Sequence, residues 1–337
     1  MSLLMDLKFN NIFKIKASFG MIAYLLIAIP PSEGLAQNTA AEPVWGYAIT
    51  TPRIDPERLF SLPDSDHTFT ISQIRNIYAP ADWYPQDHPL MPNIVAFGRE
   101  QEVWACSGCH YPNGKGRPEN AGIAGLPETY FVQQLHDFRD GLRKSAQLRK
   151  HNTNTMGAIS RMMTEDEIQA AAEYFGSMPW TQWIRVIEAD TVPKTRISGG
   201  MYLRLEGEEA GTEPIGQRIV ETPENTEHTE LLRDPRSGFI AYVPVGSIAK
   251  GESLARNGES RTLQCTICHG ENLEGLGFVP GLRGRSPSYV ARQLYDFQMG
   301  TRQGAFSALM TPVVENLTTE DMLNLSAYVA SLPPMEY

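Results

Sequence analysis

One five-residue pattern occurs twice in the chain: Cys106-Ser107-Gly108-Cys109-His110 and Cys265-Thr266-Ile267-Cys268-His269. Two thiols three positions apart sit on one helical turn, so both can form thioether bonds to the two vinyl groups of a single porphyrin. The His that follows is carried under the macrocycle, where its imidazole takes the proximal iron position. The chain therefore reads as holding two covalently bound haem c groups. Cys106, Cys109, Cys265 and Cys268 are the anchors, and His110 and His269 the proximal ligands. A Cys₄ zinc site or a redox dithiol is the competing chemistry for paired cysteines. Zinc ribbons separate their pairs by about 15–20 residues, whereas these stand 159 positions apart. All four cysteines belong to the two motifs, so none remains for a disulfide or a thiolate ligand.

The elements around the motifs are duplicated as well. From Pro92 the pattern turns helical up to the first motif. A second helix is expected over 128–140, with Tyr130, Phe131, Leu135 and Phe138 as its apolar face and Gly141 as its stop. A third begins at Thr164, which forms a capping box with Glu167, while Met163 staples onto Ile168. Tyr130, Gln134, Leu135, Asp137, Phe138, Gly141 and Arg143 recur as Tyr289, Gln293, Leu294, Asp296, Phe297, Gly300 and Arg302, each at the motif offset of 159. Such self-similarity marks an internal duplication. Ser286-Pro287 supplies an N-cap and first-turn proline for the second copy, and Thr318 with Asp321 opens the last helix. Between the copies, 183–187, 201–205, 218–220 and 239–243 read as strands. Ahead of the first copy, 68–71 reads as strand and 71–78 as a short helix.

These readings divide the chain into a signal peptide (1–36), an irregular but ordered N-terminal extension (37–91) expected to lie over the first haem domain, that first haem domain (92–180), a small β-rich connector (181–246) expected to fix the two haem domains relative to each other, and a second haem domain (247–337). Lys8, Lys14 and Lys16 precede an apolar run over 17–29, followed by small residues at 34–36, which is the layout of an exported chain. The run has 13 residues, short of the roughly 20 a spanning helix needs, although an uncleaved anchor is the alternative. The formal charge of −10 argues against nucleic acid and favours steering toward redox partners with basic docking faces.

Helix, haem motif, middle helix, Met-bearing loop and closing helix are the order of a class I cytochrome c domain. Both halves show it over 92–178 and 247–335, so the chain resembles dihaem class I cytochromes c of the bacterial periplasm. The resemblance implies a mainly α fold of two such domains, His/Met-ligated irons and electron transfer without catalysis. Met156 and Met310 are the expected axial ligands, because each lies eight residues before an equivalent cap, Thr164 or Thr318. Met162 and Met163 lie against the cap and suit packing better. His151 is the rival ligand for the first iron, whereas His136 suits a helix surface. In the family a proline carbonyl often accepts the proximal His Nδ1–H. Pro280 fits in the second copy, but Ala121 occupies the aligned place in the first, so a different carbonyl is expected there. Arg143 and Arg302 could reach haem propionates.

The expected function is periplasmic carriage of single electrons. The donor would be a quinol-oxidising complex or a periplasmic dehydrogenase, and the acceptor a terminal oxidase or its like. A dihaem peroxidase is the enzymatic alternative, although a Met in each half argues against an open iron. A cytochrome subunit fixed to a dehydrogenase complex is the third reading.

Overall fold

In the computed structural model residues 54–334 are described. The expected signal peptide and the start of the extension, 37–53, lie outside them. The extension opens with an antiparallel pair, β1 (Leu59–Ser61) and β2 (Thr68–Thr70), which leads directly into α1 (Ile71–Ile74). Thr70 and Gln73 close a reciprocal capping box that starts this single turn. The extension then buries Phe60, Leu62, Ile74, Trp83 and Tyr84 in a small core of its own, completed by Leu232 from the connector.

The first half follows with α2 (Asn93–Ala96), α3 (Ser107–His110), α4 (Glu128–Arg139), α5 (His151–Met162) and α6 (Glu165–Gly176). Thr164 and Glu167 make both bonds of the expected capping box, a device worth about 1 kcal/mol. Met163 and Ile168 are buried in one core with Val95, Phe131, Leu135 and Phe175, as the staple requires.

The connector contains β3 (Ile184–Glu188), β4 (Thr191–Pro193), β5 (Thr195–Ser198), β6 (Met201–Arg204), β7 (Thr212–Pro214), β8 (Val220–Pro223), α7 (Thr226–Glu230) and β9 (Phe239–Val243). The apolar β9 lies at the centre of a three-stranded sheet, parallel to β3 and antiparallel to β8. β5 and β6 form a hairpin turned by Gly199 and Gly200, both at positive φ, the geometry two-residue hairpin turns prefer. The strand expected at 218–220 starts later, at Val220. β4, β5 and β7 were not legible, because threonine, proline and charge dominate these short edge pairs. Trp183, Ile184, Leu203, Phe239 and Ala241 belong to the core of the first half, so the connector is packed onto that half by apolar burial.

The second half contains α8 (Ser247–Asn257), α9 (Thr266–His269), α10 (Pro287–Gln298), α11 (Ser307–Val314) and α12 (Thr319–Ser331). Ser286 caps α10 with Pro287 in its first turn, and Thr318 boxes with Asp321 to start α12. α8 crosses α12 closely at Gly251, where an added Cβ would strike the carbonyl oxygen of Asn324. Leu254, Val290, Met322, Leu325 and Tyr328 form the core here. Among the described residues no helix is long and apolar enough to cross a membrane.

Two expectations are corrected. Met156 and Met310 lie on helices, α5 and α11, rather than in open loops. Asn152, Thr153, Asn154, Thr155, Gly157 and Ser160 are weak helix formers, which hid α5 in the sequence, and Ser160 donates its hydroxyl to the Met156 carbonyl at 2.7 Å one turn back. The helix expected from Pro92 to the first motif is the single turn of α2. After it the chain reverses through a bridge between Arg99 and Val103, with Gly98 at positive φ.

Candidate haem sites

In both motifs the first cysteine caps a one-turn helix and the second cysteine and the histidine lie on that turn, α3 or α9. Cys–x–x–Cys–His thus becomes one helical face, with both sulfurs and the imidazole on the same side. His110 and His269 are each 9% exposed. The Nδ1–H of His110 donates to the Ala121 carbonyl at 2.9 Å, and that of His269 to the Pro280 carbonyl at 2.8 Å. The Ala121 bond corrects the expectation of a different carbonyl in the first copy. The acceptor is a main-chain oxygen, so replacing proline by alanine leaves it in place. Burial holds both imidazoles below the usual histidine range, outweighing these bonds. A neutral ring whose Nδ1 proton is engaged presents the Nε2 lone pair, as an iron ligand must.

Burial pushes the Cys106 thiol up to about 12 and the Cys265 thiol to about 11. Reactive redox dithiols need the opposite shift, so the environment does not suit dithiol chemistry.

Met156 packs with Cys106 against the core of the first half. Met310 packs with Cys265 against that of the second. The competitors fall elsewhere: Met163 is buried at the cap and Met162 is 48% exposed. His151 is exposed at the start of α5. His136 pairs with Glu165 at 2.8 Å on the helix surface.

Arg143 and Arg302 meet each other. The two residues form an antiparallel bridge, flanked by Lys144 N–H donating to the Thr301 carbonyl and Gln303 N–H to that of Leu142, at 2.9 and 2.6 Å. Arg143 donates to Gln134 of its own half and to Tyr289 and Gln293 of the other, at 2.9–3.0 Å. Arg302 donates reciprocally to Gln293, Tyr130 and Gln134, at 2.7–3.0 Å. The guanidiniums lie over Phe138 and Phe297. Every side-chain partner is neutral, and neither guanidinium forms an ion pair among the described residues. Burial alone would raise the Tyr289 phenol, but the two facing guanidiniums hold it below its usual range. Asp137 and Asp296, buried beside them and bonded to Gln134 and Gln293, balance the two guanidinium charges, so the seam is close to neutral overall, while its guanidiniums have the donor geometry that suits haem propionates. The sequence displayed this set as recurring polar residues at one offset. The reciprocal pairing across the two copies was the part it did not reveal.

The Cytochrome c family model matches residues 97–179. Cytochrome c-554(548) of Halomonas halodenitrificans is 36% identical over 78 residues, 23% of this chain and 94% of that protein. The thiosulfate dehydrogenase electron acceptor of Thiomonas intermedia is 25% identical, covering 69% of this chain and 80% of its own. Cytochrome c4 of Pseudomonas aeruginosa is 25% identical, over 67% of this chain and 83% of that one. The chain belongs to the cytochrome c family. It is a c-type electron carrier, a haem-binding protein of electron transport rather than an enzyme.

Proposed function

We propose that this chain is a dihaem cytochrome that relays single electrons between a periplasmic donor and an acceptor such as a terminal oxidase. His110 with Met156 and His269 with Met310 are the axial pairs. The observation that carries this reading is the duplicated site: each His is neutral and carbonyl-tethered, each Met shares a core with its motif, and the reciprocal Arg143 and Arg302 contacts join the halves. Haem iron, when bound, supplies the one-electron ferric/ferrous couple. The chain's own part is to fix the imidazoles, exclude water from the ligand side and offer Arg143 and Arg302 to the propionates. Met opposite His raises the potential and leaves no open position for substrate, which argues against the peroxidase reading. The relatives named as a thiosulfate dehydrogenase electron acceptor and as a cytochrome subunit of sulfide dehydrogenase favour a dehydrogenase as donor. Export is supported by the sequence of the leading 36 residues.

Near-infrared magnetic circular dichroism of the oxidised holoprotein tests the ligand pairs. Two His/Met signals are expected. One His/Met signal beside a His/His or high-spin haem would overturn the symmetric relay.

A further inference from the structure

The two attachment helices have different surroundings. Ser107 is 3% exposed, and its hydroxyl donates to the Val95 carbonyl at 2.7 Å. Gly108 is buried and accepts a hydrogen bond from the Arg233 guanidinium, which arrives from the connector. Ala105 N–H donates to the Ile77 carbonyl of the extension at 2.9 Å. The segments that arrive here are built together: Trp83 donates its indole N–H to the Leu232 carbonyl at 2.8 Å. Arg236 makes two bonds of 2.7 Å to Asp87 and lies 3.7 Å over the Tyr84 ring. Extension and connector thus form one packed cap over the first motif.

The second motif has no such cover among the described residues. Ile267, which occupies the place of buried Gly108, is 65% exposed, and Leu263, just ahead of the motif, is 53% exposed against 37% for its counterpart Trp104. Cys268 is exposed as well. Charges beside this edge are paired within the chain: Arg256 with Glu252 and Glu271, and Arg261 with Glu259 and Asp321. The extension and connector are the more acidic segments by sequence. Residues 54–91 and 181–246 together hold 9 basic and 17 acidic residues, whereas 247–337 hold 7 and 9.

We infer that the chain exchanges electrons with a partner redox protein at the second haem site, through an apolar edge around Leu263 and Ile267 matched to an uncharged apolar contact face. The capped first site receives its electron from within the molecule. This rests on the dihaem reading above. With haem bound at both motifs, oxidation by the partner would move one electron from the second site to the partner, and the first site would then replace it; reduction would follow the same path in reverse. No bond or proton is exchanged. Near-balanced local charge makes docking insensitive to salt.

The test uses the oxidised holoprotein and a neutral dysprosium chelate, with paramagnetic relaxation read separately for the two haem EPR signals. A Met310→Ala variant assigns the second signal. Relaxation of the second haem is expected to be enhanced several-fold more than that of the first. Arg233→Ala should raise the first alone. Equal enhancement, or a larger one at the first haem, overturns the inference. In stopped flow, a blue-copper protein with an uncharged apolar face should oxidise the reduced holoprotein at a rate varying no more than about twofold between roughly 10 and 200 mM salt. Ile267→Glu should slow it about tenfold or more. An unchanged rate in that variant, or a steep salt dependence, also overturns it. One haem per chain, seen before any probe is added, would instead overturn the dihaem reading.

Discussion

The two halves make the same attachment helix and the same tethered histidine, yet they enter it differently. α8 runs for three turns before the second motif and packs closely on α12 through Gly251. In the first half Pro89 and Pro92 stand where such a helix would begin. Each lacks an N–H donor and biases the residue before it away from helix, so only α2 forms. The extension and connector pack beside the shortened element, and their packing covers the first motif. Duplication preserved the chemistry, and a local change in helix-forming residues accompanies the different surroundings of the two sites.

The strongest way to break this comparison is to remove the anchors one site at a time. Cys265→Ala with Cys268→Ala should leave one covalent haem per chain, and so should Cys106→Ala with Cys109→Ala, by mass spectrometry of the denatured protein. Retention of two haems in either variant would end the paired-site reading. The first-site variant should also loosen the connector, because Trp183 and Phe239 share the core of that half. Near-ultraviolet circular dichroism reads that second effect.

Next in size are the axial ligands. Met156→His and Met310→His should each lower one potential by a large share of the roughly 0.8 V that axial ligands span, with the other little changed in a redox titration. His151→Ala should leave both potentials in place.

The seam joining the halves comes third. Arg302→Leu leaves Tyr130 without its charged donor, and Gln134 and Gln293 with one donor each instead of two, and should cost about 2 kcal/mol in denaturant unfolding. Arg143→Leu should cost a similar amount, and the double variant more than the sum, because each single variant leaves the other arginine bonded to Gln134 and Gln293 and only the double removes both donors. Full additivity would mean that the two arginines act independently. Thr164→Ala and Thr318→Ala, which remove equivalent caps, should each cost about 1 kcal/mol.

What the sequence disclosed and what it withheld divide along physical lines. The motifs, the capping boxes at Thr164 and Thr318 and the proline start of α10 were readable because each depends on residues within a few positions of one another. Gly98 and the two prolines signalled the shortened entry helix, but the apolar run from Pro92 suggested a longer one. The Ala121 carbonyl was missed because main-chain acceptors leave no mark in residue identity. That the extension lies over the first domain was readable, but the connector's share in covering the motif was not, because Ile77, Leu232 and Arg233 meet only in the fold. Arg143 and Arg302 were visible as a repeated pair, but their reciprocal contact is a property of how the copies pack.

His88 gives the smallest and most specific test of the cap. Its Nδ1 faces the Pro89 carbonyl at 2.8 Å and its Nε2 the Asp82 carboxylate at 3.2 Å. Both partners are acceptors, so both bonds are satisfied only by the imidazolium. Burial opposes that charge, but Asp82 and the carbonyl outweigh it and raise the pKa above its ordinary value of 6.5. A raised folded-state pKa means that the stabilisation is complete below the unfolded value and is lost as pH rises through the folded one. Hydrogen exchange of amides in the extension should therefore accelerate as pH increases above about 6.5, after correction for intrinsic exchange. Amides of α12, on the uncapped half, should not follow. His88→Gln should abolish the difference, since the amide does not titrate. If the wild-type extension stays equally protected across that window, His88 does not hold the cap by its charge, and the asymmetry between the halves rests on packing and on the Arg233 and Arg236 contacts alone.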